Sequence, residues 1–157
     1  MSGQVPNRIA FDLKYEVKQV YKSLSKYKRE KVPTVVESIE VYIDEVLLHG
    51  DNVFEAASFF ESLTRAGTFR MFNCTCGVFG CGGYEVAVRH EEGRVQWDTE
   101  GLVYVFEHAE MLGFAEELQF QLEKLDRVLV SHGLPPRFDN PSFISSMKQF
   151  AEGMPSR

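Results

Sequence analysis

The sequence predicts an α+β protein: an antiparallel sheet packed against helices, with a long C-terminal amphipathic helix. Three observations carry that expectation. Ile9, Phe11, Leu13, Tyr15 and Val17 alternate with Ala10, Asp12, Lys14, Glu16 and Lys18, the two-residue period of a half-buried strand. Between residues 36 and 107, short runs rich in β-branched and aromatic residues follow one another, broken by glycine and acidic residues. From 108 to 131, Leu112, Ala115, Leu118, Leu122, Leu125 and Leu129 recur at three- and four-residue spacing, which places them on one helical face. Strands first and helices last, with one helix inserted among the strands, is the element order of an α+β fold.

The first element reads as a strand over 8–18, because β-formers occupy the alternation from its first residue. Leu13, Val17, Val20, Leu24 and Tyr27 also fit a helical stripe, so strand and helix both stay open over 8–27. The Lys-rich stretch 22–31 then reads as an exposed connection ending at Pro33. A second strand covers 36–43, and Asp44-Glu45 turns the chain into a short partner strand at 46–48, which Gly50 ends. Asp51 suits the N-cap of a helix carrying Phe54, Ala57, Phe60 (or Phe59), Leu63 and Thr64, with Gly67 as its stop. Strands follow at 68–73, 84–90, 94–98 and 102–107. Glu91-Glu92-Gly93 joins the middle pair as a three-residue hairpin loop, its glycine available for the left-handed position. The long helix over 108–131 stops at Gly133-Leu134-Pro135-Pro136. A short helix over 141–152 opens with Asn140 as cap and Pro141 at its first position.

The chain has 157 residues, 44% of them apolar and 25% charged, with a net charge of −6. Single cores usually span roughly 100–200 residues, so one domain over 1–157 is expected. No apolar run approaches the roughly 18 residues that a membrane span requires, and no signal peptide opens the chain. A cytoplasmic protein without a membrane partner follows from that reading. The acidic balance makes general nucleic-acid binding unfavourable. There is no phosphate loop, nucleophile elbow, HExxH helix or dinucleotide fingerprint, and no residue is assigned a catalytic role.

The most unusual run is Asn73-Cys74-Thr75-Cys76-Gly77-Val78-Phe79-Gly80-Cys81-Gly82-Gly83. Three thiols and four glycines link two predicted strands, and the glycines let the chain turn sharply enough to bring sulfurs together. A tight turn presenting thiolates is what tetrahedral zinc needs, so Cys74, Cys76 and Cys81 are the candidate metal ligands. The C-x-C-x4-C spacing has no fourth cysteine, and a His, Asp or Glu must complete the site. His90 is near in sequence, yet a continuous strand carries it about 20 Å from the turn, at roughly 3.3 Å per residue. Asp98 and Glu100 return beside Tyr84 on the antiparallel neighbour and are better placed. The competing explanation is a close-packed corner in which free cysteines act as small hydrophobes. A redox pair or a nucleophilic thiolate are further alternatives, but the neighbouring sequence supplies neither a base nor an electropositive setting.

The run CTCGVFGCGGYEVAV, followed by a short turn and VQW, resembles a group of small, largely uncharacterised bacterial proteins. They share a turn of the form CxCGxxGCxG leading into a strand and hairpin, with a strand and a helix upstream. The resemblance covers residues 36–107, and the cysteine turn is its specific part. It implies a bacterial or phage origin and, from size and charge, an immunity or accessory protein of the kind found in bacterial competition loci.

Charge is unevenly spread. Residues 8–31 hold eight positive and three negative side chains, a balance of +5, whereas 100–126 holds seven negative and one positive, a balance of −6. The basic stretch 14–31 leaves contact with nucleic acid or an acidic protein open, with Tyr15, Tyr21 and Tyr27 able to stack on bases or to enter the core. The acidic residues line the polar side of the long helix, a solvated face or a surface that masks a basic partner. Trp97 reads as core, and His49 and His108 as ordinary residues at element boundaries. The function expected from the sequence is therefore a protein-binding protein of the immunity or accessory type without catalytic activity. A structural zinc protein using Cys74, Cys76 and Cys81, and a cysteine-dependent enzyme or redox sensor, stand as alternatives.

Overall fold

Alternation of apolar residues on strands and a leucine stripe on a helix must be buried against each other, and the fold does so in two sheets. The structure, a computed structural model, describes residues 5–50, 52–74 and 83–153, apart from the side chains of Leu24 and Cys74. The described elements are β1 (Ile9–Ser25), β2 (Lys28–Ile43), β3 (Val46–Leu47), β4 (Asn52–Phe54), α1 (Ala56–Ser62), β5 (Gly67–Cys74), β6 (Tyr84–Glu91), β7 (Arg94–Thr99), β8 (Leu102–Glu107), α2 (His108–Ser131) and α3 (Asn140–Glu152). Sheet order is β1-β2-β3 in one sheet and β4-β5-β6-β7-β8 in the other, with every neighbour antiparallel. The α+β class is as the sequence predicts.

The largest departure lies at the N-terminus. Within 8–27 the chain is strand rather than helix, over Ile9–Ser25, and the strand does not stop at Lys18. The stretch read as an exposed connection over 22–31 is the end of one long hairpin, with Lys26-Tyr27 as its turn. The ladder continues through Val20↔Val32, Tyr21↔Lys31 and Lys22↔Glu30. No described side chain of 18–31 is buried, so the apolar alternation that marks a strand in sequence is absent there. Pro33 sits inside β2 opposite Gln19. The Asp44 amide donates to the Arg8 carbonyl, which makes residues of the Arg8 parity face across the ladder and leaves Gln19 and Pro33 facing outward. The proline therefore costs the hairpin no hydrogen bond.

The inserted helix is shorter than predicted. Phe54 belongs to β4, opposite Phe72, and the helix begins at Ala56 after Glu55, which makes no side-chain cap. Asp51, the predicted cap, lies outside the described residues. The helix ends at Ser62 rather than near Gly67, whose φ of +153° opens β5. The loop between β6 and β7 has two residues, since Glu91 pairs with Arg94 and Gly93 takes φ +72°. Asp139, not Asn140, caps α3 by accepting from the Ser142 amide at 3.4 Å. Asp126 leaves the solvated face of α2 as well. It is buried and accepts from the Arg137 amide (2.7 Å), the Phe138 amide (3.2 Å) and Asn140 Nδ2 (2.9 Å), tying the post-helix loop to α2.

The main core gathers the inner faces of the five-stranded sheet, α1, and the N-terminal two-thirds of α2. Phe59 is its hub, with ring centroids 5.8 Å from Phe54, 5.1 Å from Phe60, 6.2 Å from Trp97 and 5.2 Å from Phe114. Such edge-to-face aromatic pairs contribute about 0.5–1.5 kcal/mol each beyond their buried area. A bulge between Arg70 and Phe72 turns both Met71 and Phe72 inward. Trp97 is core, as expected. A second, smaller cluster of Val35, Leu125 and Leu129, flanked by Leu13, Val17 and Phe138, attaches the hairpin to the far end of α2.

His90 reports on this core. Its Nε2 donates to the Ser62 carbonyl at 2.8 Å, and its Nδ1 is buried without a partner among the described residues. Charging the ring means placing a cation in a largely buried site. Burial holds the His90 pKa below its ordinary value, against the opposing pull of the Ser62 and Arg65 carbonyls. A depressed imidazole pKa means that the unfolded chain takes up the proton first as pH falls. Its stabilising contribution is complete above about pH 6.5 and is lost as pH drops through the folded pKa. Urea unfolding at about pH 5.5 should therefore give a smaller free energy than at about pH 7.5, and His90→Gln should flatten that slope.

Candidate functional site

Packing of the β1–β2 hairpin ends at the pair Val17↔Val35. Beyond it, every described side chain of residues 18–31 is exposed, on both faces. Eight further residues of β1 extend the ribbon by about 25 Å at roughly 3.3 Å per residue. This arm carries Lys18, Lys22, Lys26, Lys28, Arg29 and Lys31 against Glu30 alone, a net charge of +5 on a protein of −6. Tyr21 is 67% exposed and Tyr27 88% exposed. Lys31 lies 5.9 Å from the Tyr21 ring and Lys26 5.5 Å from the Tyr27 ring, so each tyrosine is flanked by a cation. None of Tyr15, Tyr21 and Tyr27 enters the core. Isolated two-stranded ribbons are marginal in water, and this arm leaves Val20 and the tyrosines exposed.

The outer edge of β1 is open. β1 ends the three-stranded sheet, and from Phe11 onward no backbone hydrogen bond reaches its outer side among the described residues. Only Ile9 N is capped there, by Glu110 Oε2 at 2.9 Å. Between this edge and α2 runs a trough. Its upper part, about 500 Å³, lies between residues 9–13 and α2 and carries Asp12, Glu110 and Glu117. Its lower part, about 350 Å³, continues past Tyr15 to Lys124 and Arg127. The trough is acidic at the base of the hairpin and basic toward the arm. Arg137 holds the other strand in place through Glu37 and through the Val35 carbonyl, the latter at 3.2 Å.

Of the three predicted zinc ligands, Cys76 and Cys81 lie outside the described residues, and Cys74 is described only as the last backbone position of β5. Among the described residues no group of histidines, cysteines and carboxylates is arranged to hold a metal. His90 stands at the far end of β6 from Tyr84, as the strand geometry requires. His49 comes to the near end instead. Its ring stacks on Tyr84 at 3.8 Å with 9° between planes, meets Phe72 edge-on at 4.9 Å, and bonds the buried Thr99 hydroxyl at 3.0 Å. Burial lowers the His49 pKa, and the nearby Glu100 charge opposes the shift. Its sequence position before Gly50 gives no hint of this; the left-handed backbone at φ +49° turns it toward β6. Gly83, which opens β6 at φ +105°, has the Phe72 carbonyl 2.6 Å from where a Cβ would stand, so only glycine fits.

His108 stacks on Phe150 at 4.1 Å and bonds its carbonyl at 2.7 Å, a packing role. Among the described residues no helix is long and apolar enough to cross a membrane.

Because the described side chains of residues 18–31 are exposed and Val32 and Pro33 only partly buried, residues 19–33 should be dispensable for folding. Replacing them by Asn-Gly joins Lys18 to Thr34 across a hydrogen-bonded pair, the geometry that a two-residue turn favours. The shortened protein should melt within a few degrees of the parent in a thermal scan. A collapse of the transition would show that the arm supports the fold.

No protein-family model, no curated protein and no solved structure matches this chain.

Proposed function

We propose that this protein is a non-enzymatic binding protein of the immunity or accessory type and that it takes a protein partner on the β1–β2 arm. The observation that carries the reading is the arm itself: a ladder whose last 14 residues, 18–31, have no buried side chain among the described ones and gather six cations and two exposed tyrosines. Folding alone gives no reason to order such a segment, since the conformational entropy of about 1–2 kcal/mol per residue is offset there by ladder bonds only. Tyrosine and arginine are also the side chains that interfaces favour. The size and acidity of the chain, and the resemblance of its cysteine turn to that of small bacterial proteins, agree with a partner-binding role.

Replacing Tyr27 by p-benzoylphenylalanine in the full chain tests the reading. Irradiation in the native cell should yield one discrete crosslinked protein product, absent when Lys22, Lys26 and Arg29 are all changed to Glu. Absence of any protein product would overturn it.

A structural zinc is a second reading, supported by the three cysteines of the sequence and by the arrival of His49 at Tyr84, where the described chain resumes after them. Elemental analysis should then find about one zinc per chain, removed by Cys76→Ser together with a lower melting temperature. Zinc-free protein of unchanged stability would dispose of it.

A further inference from the structure

We infer that the partner of the arm is a second copy of this chain, which adds its own β1 antiparallel to the open edge of β1 and lays its arm in the trough beside α2. The inference rests on the reading of the arm as a protein-binding element and names its occupant. An open strand edge beside a helix is the setting for strand addition, in which main-chain bonds give affinity and side-chain positions set the register. Here the edge, the trough and the arm that fits them are on the same chain, so a two-fold axis makes each contact twice.

The charge pattern of β1 is self-complementary. Asp12, Lys14, Glu16, Lys18, Val20 and Lys22 share one face of the ribbon, because alternate residues do. In an antiparallel pair of β1 strands centred on Val17, Asp12 of each copy faces Lys22 of the other, and Glu16 faces Lys18. Centring on Glu16 places Glu16 against Glu16 and Lys14 against Lys18. Centring on Lys18 places Lys18 against Lys18 and Lys14 against Lys22. Like charges directly opposite are destabilising, and opposite charges are worth roughly 0.2–1 kcal/mol per pair. On the other face the Val17 register sets Tyr21 opposite Leu13 and Tyr15 opposite Gln19. Tyr21, largely exposed in the single chain, then meets the apolar wall of the trough near Phe114.

Backbone polarity agrees with this register. The pairing of Asp44 with Arg8 makes Phe11, Leu13, Tyr15, Val17 and Gln19 the residues whose amides and carbonyls face outward, and the Val17 register pairs them with outward-facing residues of the second copy. Pro33 lacks a donor on the outer edge of β2, so pairing through that edge is weakened and β1 is the strand left to pair. A polyanion is the poorer occupant. Phosphates entering the trough would meet Glu110 and Glu117 on α2, with Asp12 on the other face of β1, whereas Lys22 of a second arm meets Asp12 favourably.

Sedimentation of the full chain at about 10–100 μM tests the inference, within the concentration range where edge-paired dimers form. The parent chain should be dimeric. Gln19→Pro, which removes an outward amide opposite a position where the ribbon already accepts proline, should raise the dimer Kd at least about tenfold. Lys18→Glu/Lys22→Glu should be monomeric, as should Asp12→Lys/Glu16→Lys, and an equimolar mixture of these two variants should regain the dimer. All these positions are surface charges or an exposed amide, and circular dichroism of each variant shows whether it is folded. A parent chain that is monomeric at 100 μM overturns the inference, and so does a dimer that survives all three variants. If the Tyr27 crosslink has twice the mass of the chain, the inference stands; if it joins another protein, the arm still binds protein and the inference falls. Retardation of a short duplex DNA by a monomeric chain, with no protein crosslink, overturns both.

Discussion

The structure depends on one helix reaching two sheets. The stripe of α2 from Met111 to Leu122 closes the core of the five-stranded sheet, while Leu125 and Leu129 lie against Val35 on the hairpin. Each buried leucine contributes about 1.5–3 kcal/mol relative to an exposed one. Burial of the same stripe therefore fixes both the position of the body and the direction in which the hairpin leaves it. Asp126 and Arg137 add polar fasteners at that junction, the first by collecting the amides of the loop after α2 and the second by bonding the Val35 carbonyl.

That attachment ends abruptly. At Val17↔Val35 the hairpin has packing on one side; beyond it Thr34, Pro33 and Val32 are only partly buried and their β1 partners are exposed. A hydrogen-bonded ribbon continues on ladder bonds alone, twisting freely and exposing two backbone edges. The edge of β2 is blunted by Pro33 and the Lys-rich end, whereas the edge of β1 is flanked by the trough. Charge follows the same division, with the cations on the free part and Asp12, Glu110 and Glu117 at the attached base. On the reading proposed above, the two halves of the hairpin are the two sides of one interface.

Long periodic elements were legible in the sequence. The stripe of α2, the β6–β7 hairpin, β8 and the short β3 reached through Asp44-Glu45 follow from spacing and turn chemistry, and Trp97 from its place in an alternating strand. Where the signal was misread, a specific competitor won. Phe54 has helical spacing to Ala57, but pairing with Phe72 in β5 takes it into a strand. Asp126 has the sequence neighbours of a solvated face and is buried because three donors meet it there. The arm reads as a loop in the sequence because a strand with no buried face has no apolar alternation.

What the sequence determined alone is therefore the class of fold, the elements with a buried face, and the concentration of unusual chemistry at Cys74, Cys76 and Cys81. These depend on local periodicity and composition, which the chain carries within a few residues. The tertiary structure alone decided that residues 18–31 stand away from the body as a ribbon, that the β1 edge is open beside an acidic trough, and that His49 rather than His90 meets Tyr84. Each of these depends on which surfaces remain uncovered or which rings meet after distant segments pack. Periodicity records whether a residue is buried, but not what is left without a neighbour.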